Sequence, residues 1–366
     1  MSFYNEYLKY KGLNLDDVFK RANDNDVRRV LAKDSLEWED FLILLSPVAT
    51  KHLEEMAQRA NKETIQNFGR VIFLYAPLYL SDHCVNQCAY CGFNVKNKFK
   101  RKKLNIEEIR REGEAIAKKG IKHLLILTGE SRKHSPVSYI KEAVEALKDY
   151  FSSIDIEIYP LYKGEYEELI EAGVDGLTIY QEVYNEEIYD QVHITGPKKD
   201  YRYRLDAPER GAKAGMRRIN IGPLFGLDDW RKEAFFSAIH TQYLQKNYLD
   251  LELALSLPRL RPHLGSFQPK SIVSDRDLVQ IILAYRLFLP RVGISLSTRE
   301  GENLRDNLLP LGITKLSAES STAVGGYTQK DSTDQFAISD GRSLKEIKKL
   351  LLEKGYQPIL QDWHRI

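Results

Sequence analysis

Three cysteines lie in one eight-residue stretch, Cys84-Val85-Asn86-Gln87-Cys88-Ala89-Tyr90-Cys91, and the 366-residue chain has no others. An odd count confined to one short segment builds no disulfide framework and implies a reducing compartment. Three closely spaced thiolates suit an iron–sulfur cubane: each binds a different iron, and the fourth iron stays open to an external ligand. The alternative is a zinc site completed by His83. Joint ligation by the adjacent His83 and Cys84 strains a tetrahedron, and structural zinc generally draws on two separated ligand pairs.

Such a loop needs a rigid frame. Residues 1–70 read as a polar helical extension, with Val27, Val30 and Leu31 and then Phe41, Leu42, Leu44 and Leu45 at helical spacing. From Val71 the pattern changes to short β-rich apolar runs, each followed by a charged amphipathic segment that ends in glycine. Candidate strands cover 71–80, 122–128, 154–160, 176–181, 217–222, 249–257, 292–297 and 313–318. Helices between them include 105–119, with Asn105 and Glu108 as a capping box and Gly120 as the C-cap, 137–150 after Ser135-Pro136, and 343–354 before Gly355. Eight such units predict a (βα)8 TIM barrel over 71–366, and no glycine-rich phosphate loop follows the first strand, against a dinucleotide-binding sheet. Pro77 fits that first strand awkwardly. In such a barrel the loops after the strands build the active site, and the cysteines fall in the first of them.

Composition narrows the function. With 54 Lys+Arg against 52 Asp+Glu the formal charge is +2, and 43% hydrophobic with 29% charged residues is ordinary for a globular protein. That excludes disorder and a nucleic-acid-type charge excess. No apolar run approaches the roughly 18 residues of a membrane helix, and Met1-Ser2-Phe3-Tyr4-Asn5-Glu6 lacks a basic region followed by an apolar one, so a cytoplasmic protein is expected.

The spacing C-x3-C-x2-C with an aromatic residue before the last cysteine resembles the signature of radical S-adenosylmethionine enzymes. Ser81-Asp82-His83-Cys84, Cys91-Gly92-Phe93-Asn94, Leu127-Thr128-Gly129-Glu130, Tyr180-Gln181-Glu182, Ser256-Leu257-Pro258-Arg259-Leu260-Arg261-Pro262, Ser295-Leu296-Ser297-Thr298-Arg299-Glu300 and Gly325-Gly326-Tyr327 extend the likeness. They resemble the tyrosine lyases of thiamine biosynthesis, the 2-iminoacetate synthase family, over nearly the whole chain to Gln361-Asp362-Trp363. The resemblance implies a barrel of the radical S-adenosylmethionine type, a [4Fe-4S] cluster on Cys84, Cys88 and Cys91, and S-adenosylmethionine on the open iron. It implies cleavage of the Cα–Cβ bond of L-tyrosine to p-cresol and 2-iminoacetate, begun by a 5′-deoxyadenosyl radical that takes hydrogen from the amino nitrogen. Implied partners are thiazole synthase, which would receive the imine, and an electron donor of the flavodoxin or ferredoxin type.

Carried over residue by residue, the resemblance assigns Glu130 to the amino group of S-adenosylmethionine, with Thr128 where the family's segment has its first glycine. Thr takes a positive φ far less readily than Gly. Glu182 is assigned to the methionine–ribose region, Arg204 to the methionine carboxylate, because a guanidinium fixes a carboxylate through two parallel hydrogen bonds, and the Tyr90 backbone to adenine. Arg299 and Ser317, at the ends of the seventh and eighth strands, are assigned to the tyrosine carboxylate. The residues also allow plainer readings: Glu130 as a helix cap, Arg204 or its neighbour Arg202 on a solvated helix face, and Arg299 in a salt bridge with Glu300 or Glu319.

Two rival functions remain at this level. A tyrosine lyase of iron-iron hydrogenase maturation carries a second cluster on a C-terminal cysteine motif, whereas the last cysteine here is Cys91. A zinc-stapled nucleic-acid-binding protein would use the basic run Lys96, Lys98, Lys100, Arg101, Lys102 and Lys103. In the lyase reading the same run leaves the cluster loop as a docking surface for an acidic electron donor.

Overall fold

The computed structural model describes residues 2–262, 266–329 and 333–361. His263 and the terminal Asp362-Trp363 lie outside the described residues. Eight parallel strands close on themselves: β1 Val71–Ser81, β2 His123–Thr128, β3 Ser153–Glu157, β4 Gly176–Thr178, β5 Arg218–Ile221, β6 Glu252–Ser256, β7 Gly293–Leu296 and β8 Lys315–Ser317. Closure is the pairing of β1 with β8, Phe73 opposite Lys315 and Tyr75 opposite Ser317. A ninth strand, β9 Gln357–Ile359, pairs with Val71–Phe73 at the foot of β1.

All eight expected strands form, at nearly the expected positions. Strands covered by helices outside and packed inside are buried on both faces, so they read as continuous apolar runs. The third is shorter than the expected 154–160 and ends at Glu157. Its alternation is informative. Ile154 and Ile156 face the surrounding helices, whereas Ser153, Asp155 and Glu157 share the opposite, inward face.

Pro77 is accommodated without a lost ladder bond. Tyr75 turns its carbonyl to the β8 side, where Ala318 donates to it at 2.9 Å. Pro77, two residues on, faces the same side. There β8 has already ended, and the Pro77 carbonyl accepts instead from the Tyr327 hydroxyl at 2.7 Å.

Helices start where the sequence places caps. Asn105 and Glu108 form the reciprocal capping box of the helix Ile106–Ala117, and Ser343 with Glu346 does the same for Leu344–Glu353. The N-terminal residues are helical as expected, in Phe3–Lys11, Leu15–Arg21, Asp24–Leu31, Trp38–Leu45 and Leu53–Phe68. They share the barrel's core: Phe41 stacks on Phe288 at 4.7 Å, and Phe3 on His240 at 3.9 Å. Gln280, buried in the helix Asp275–Phe288, donates to the Leu44 and Ser46 carbonyls that end the helix Trp38–Leu45. Each buried aromatic contributes about 2 to 3 kcal/mol, so the extension buttresses one side of the barrel.

The stretch that carries Arg204 forms two helices. Tyr201–Leu205 ends at Asp206, and Ala207–Lys213 starts anew with Pro208 in its first turn, where a missing N–H costs nothing. Arg204 therefore sits at the end of the first helix. A short antiparallel ribbon, Gln87–Cys88 with His193–Thr195, ties this insertion to the cysteine loop.

Candidate active site

The cysteine loop is held against the mouth of the barrel by backbone bonds. Gly129 donates to Ser81 at 2.8 Å, and Val85 to the Glu130 carbonyl at 2.9 Å. A Cβ on Gly129 would lie 2.5 Å from the His83 carbonyl oxygen, so only glycine lets the β2 end approach the loop this closely. Glycine at 129 is thus explained by contact, while neither Thr128 nor Gly129 has a positive φ, so the expected handicap of Thr128 does not arise. On the other side, Gly196 at φ 103 brings the inserted ribbon against Asn86.

Asn86 ties these pieces together. Its Nδ2 donates to Glu130 Oε2 at 2.6 Å, and its Oδ1 accepts from the Lys198 N–H at 2.9 Å. Glu130 precedes no helix directly, since the next one is Val137–Leu147, so it caps none. Its carboxylate lines the same cleft as Cys84, Cys88, Cys91, Glu182 and Arg204.

Glu182 follows β4 with φ 72, a left-handed conformation that a residue with a Cβ adopts only when its surroundings fix it. What fixes it is local: its carbonyl accepts from Leu224 at 2.8 Å, and its carboxylate meets Lys198 Nζ at 2.6 Å and Arg204 Nη2 at 3.6 Å. Arg204 is buried and pinned through Nε to the Tyr180 carbonyl at 2.6 Å, so it is no solvated surface residue. Its neighbour Arg202 is exposed and stacks on Tyr4, away from the cleft. Tyr90 is buried, its hydroxyl bonded to His193 Nε2 at 2.7 Å. His193 Nδ1 faces the Tyr189 carbonyl at 2.8 Å and must donate there, so Tyr90 is the donor to a neutral imidazole.

The cleft continues into the barrel. Tyr79, Cys91, Leu127, Glu157, Tyr180, Glu182, Lys198 and Gln335 line both its cysteine end and its inner end, and the inner end also holds Arg299 and Ser317. Arg299 lies over the Phe336 ring, its Cζ 3.4 Å from the centroid, and burial draws its guanidinium below the usual arginine range. Neither expected salt bridge forms: Glu300 is taken by Arg259 and Arg261, and Glu319 by Lys119. Ser317 is buried, its Oγ accepting from the Thr298 N–H at 3.0 Å.

The three thiols are free and line one cavity. Among the described residues no group of three or more His, Cys, Asp or Glu side chains is closed around a single ion. His83 stacks on His134 at 4.0 Å rather than joining the thiols. With His83 stacked on His134 the zinc alternative lacks its proposed fourth ligand, while three thiols lining one cavity suit a cubane, whose thiolates bind separate irons. Amides support two of the sulfurs, Asn86 Nδ2 at 3.8 Å from Cys84 Sγ and Gln335 Nε2 at 3.9 Å from Cys91 Sγ.

Sequence reasoning missed Asn86, Glu157, Lys198 and Gln335. Glu157 had a signal, since it occupies the strand end where barrel side chains meet the site. Lys198 and Gln335 had none, because they reach the cleft from loops far along the chain. The basic run is also only partly a surface. Arg101 donates to the carbonyls of Asp82, Phe93 and Asn94, Lys102 to Gln329, and Lys103, though exposed, lies over the Tyr139 ring, which leaves Lys96, Lys98 and Lys100 exposed without such a contact.

Comparison with known proteins agrees with this architecture. Residues 78–238 match the model of the Radical SAM superfamily, and 256–357 that of the Biotin and Thiamin Synthesis associated domain. The chain is 41% identical to the 2-iminoacetate synthase of Escherichia coli (strain K12), over 97% of its own length and 96% of the relative's. Among solved structures it is similar to HydG, a maturase of the [FeFe]-hydrogenase, with a TM-score of 0.90 and 33% identity over 94% of this chain and 78% of that one. Methylornithine synthase, at TM-score 0.72 and 22% identity over 91% and 97% of the two chains, shares the fold. This chain belongs to the 2-iminoacetate synthase family of radical S-adenosylmethionine enzymes.

Proposed function

We propose that the chain is a 2-iminoacetate synthase: it cleaves the Cα–Cβ bond of L-tyrosine to p-cresol and 2-iminoacetate, while S-adenosylmethionine is consumed to 5′-deoxyadenosine and methionine. The imine would supply the thiazole of thiamine. The observation that carries the reading is one continuous cleft, with three free thiols at one end and at the other a half-buried arginine, Arg299, that has no ion-pair partner among the described residues.

In this reading Cys84, Cys88 and Cys91 hold a [4Fe-4S] cluster. That cluster, with S-adenosylmethionine bound, supplies the 5′-deoxyadenosyl radical. The chain's own task is to bind and to orient. Glu130, fixed by Asn86, faces the cofactor's amino group. Arg204, with Nε already committed to Tyr180, keeps its Nη edge for the carboxylate, and Glu182 lies beside the ribose. The Tyr90 backbone is left for adenine. Arg299 and Ser317 take the tyrosine carboxylate, so that the amino end of the substrate points toward the cysteine end.

The imine hydrolyses readily in water, and a cleft lined by Phe336 and Gln335 would delay that loss until thiazole synthase receives it. An electron donor of the flavodoxin or ferredoxin type would approach over Lys96, Lys98 and Lys100. We place the enzyme in the cytoplasm, with residues 1–70 as a helical extension of the barrel unit 71–366. No described helix is long and apolar enough to cross a membrane.

The test is Arg299→Lys. An ammonium keeps the charge but loses the flat guanidinium fork, so tyrosine binding should weaken by about 1.5 to 3 kcal/mol while S-adenosylmethionine binding is unchanged. Normal tyrosine affinity with weakened cofactor affinity would place Arg299 at the wrong ligand.

A further inference from the structure

The barrel's interior charges are arranged differently at its two ends. At the bottom, Asp155 is bound by Arg218 at 2.7 Å and His123 at 2.9 Å, with Lys315 at 3.7 Å. Two residues higher on the same inward face stands Glu157, which makes no hydrogen bond or ion pair among the described residues and opens onto the cleft. Its opposite number is Arg299, which lies over the Phe336 ring and makes no ion pair among the described residues. The other charges around the cleft are engaged elsewhere: Glu182 meets Lys198 and Arg204, Arg261 meets Glu300, and Glu130, held by Asn86, is assigned with Glu182 and Arg204 to the cofactor in the reading above.

One uncommitted anion and one uncommitted cation lining one cleft match a zwitterion. A ligand with a carboxylate alone would satisfy Arg299 and leave the half-buried Glu157 with no hydrogen-bonding partner of its own, which is costly. The head of an α-amino acid satisfies both. We infer that Glu157 is the subsite for the substrate's α-amino group, opposite a carboxylate held by Arg299 and Ser317; this rests on the tyrosine reading above.

The same placement gives the amino nitrogen a way to lose a proton. The groups that face Glu157 are Glu182, Arg299, Lys198 and Arg204, with the hydroxyls of Tyr75, Tyr79 and Tyr180 around it. Burial first, and Glu182 second, push its carboxyl up to about 7 against the pull of the three cations. A carboxylate poised there can take one proton from the bound ammonium, leaving a neutral carboxylic acid and a neutral amine. If hydrogen is then taken from the amino nitrogen, as the tyrosine reading implies, a neutral amine gives a neutral nitrogen radical, whereas an ammonium would give a radical cation.

The experiment measures binding to the reconstituted holoenzyme with S-adenosylmethionine, anaerobically and without reductant. The probes are L-tyrosine, 3-(4-hydroxyphenyl)propanoate, which lacks the amino group, and tyramine, which lacks the carboxylate. Glu157→Gln should lose at least tenfold in tyrosine affinity while binding the amino-free acid as well as wild type or better. Glu157→Asp, which keeps the charge, should retain part of the preference for tyrosine. Wild-type tyrosine affinity should rise between pH 6 and pH 8 as Glu157 ionises, and that of Glu157→Gln should stay flat. If Glu157→Gln keeps the wild-type ratio between tyrosine and the amino-free acid, or loses both ligands equally, the subsite assignment is overturned while p-cresol release by wild type leaves the tyrosine reading standing. If wild type itself neither binds tyrosine nor releases p-cresol, the reading and the subsite fall together.

Discussion

Lys198 meets Glu182 at 2.6 Å although one comes from the turn of 3-10 helix after the inserted ribbon and the other from just past β4, and both side chains are largely buried, 14% and 10% exposed. The pair locks the insertion onto the barrel at the point where Glu182 holds its left-handed backbone. Lys198→Met should therefore do two things. It should destabilise the protein by about 3 kcal/mol, the low end for breaking a buried pair, because Arg204 still faces the stranded carboxylate. It should also weaken S-adenosylmethionine binding more than tyrosine binding, measured by titration of each ligand. A fall in thermal stability with both affinities intact would make the pair a strut alone.

Glu157 gives stability a pH dependence of definite sign. Its carboxyl titrates near 7 in the folded chain against an ordinary value of 4.5, so the folded state holds a proton that the unfolded state has released between those limits. Stability from this group is present below pH 4.5 and is lost as pH rises through 7, by at most about 3 kcal/mol. Glu157→Gln removes that loss. Its melting temperature should match wild type near pH 5 and exceed it at pH 8; a constant difference across that range would mean that Glu157 titrates at an ordinary value.

The outward lysines carry a kinetic prediction. Changing Lys96, Lys98 and Lys100 to Gln should slow turnover by roughly tenfold at low salt with an acidic flavodoxin or ferredoxin as reductant, and should flatten the salt dependence, since screening acts on long-range attraction. Turnover with dithionite should stay at the wild-type rate. Arg101 is left out of the set because its guanidinium holds the loop's own carbonyls. Equal losses with both reductants would contradict a docking role.

How much of this was legible in the sequence differs by residue. The strands of the barrel were, because parallel strands buried on both faces give unbroken apolar runs, and the glycines and caps between them mark the ends. The clustering of Cys84, Cys88 and Cys91 was, because their spacing is local. Arg299 and Ser317 could be brought together once β7 and β8 were recognised as neighbours. The insertion between β4 and β5 was not legible: its strand has three residues, His193–Thr195, and pairs with the cysteine loop more than a hundred positions away. Lys198, carried on that insertion, was hidden for the same reason. Gln335 and Phe336 reach the cleft by a return of the C-terminal loop that follows no periodicity. Glu157 could have been found from the inward parity of Ser153, Asp155 and Glu157, had the polar members of an apolar strand been weighed as barrel interior.

The most direct test of the whole account is chemical. The anaerobically reconstituted enzyme, given dithionite, S-adenosylmethionine and L-tyrosine, should release p-cresol and 5′-deoxyadenosine together, and Cys84→Ala, Cys88→Ala and Cys91→Ala should each fold yet release neither. Cleavage of S-adenosylmethionine by wild type with no p-cresol, or wild-type product formation by any of the three cysteine variants, would contradict it.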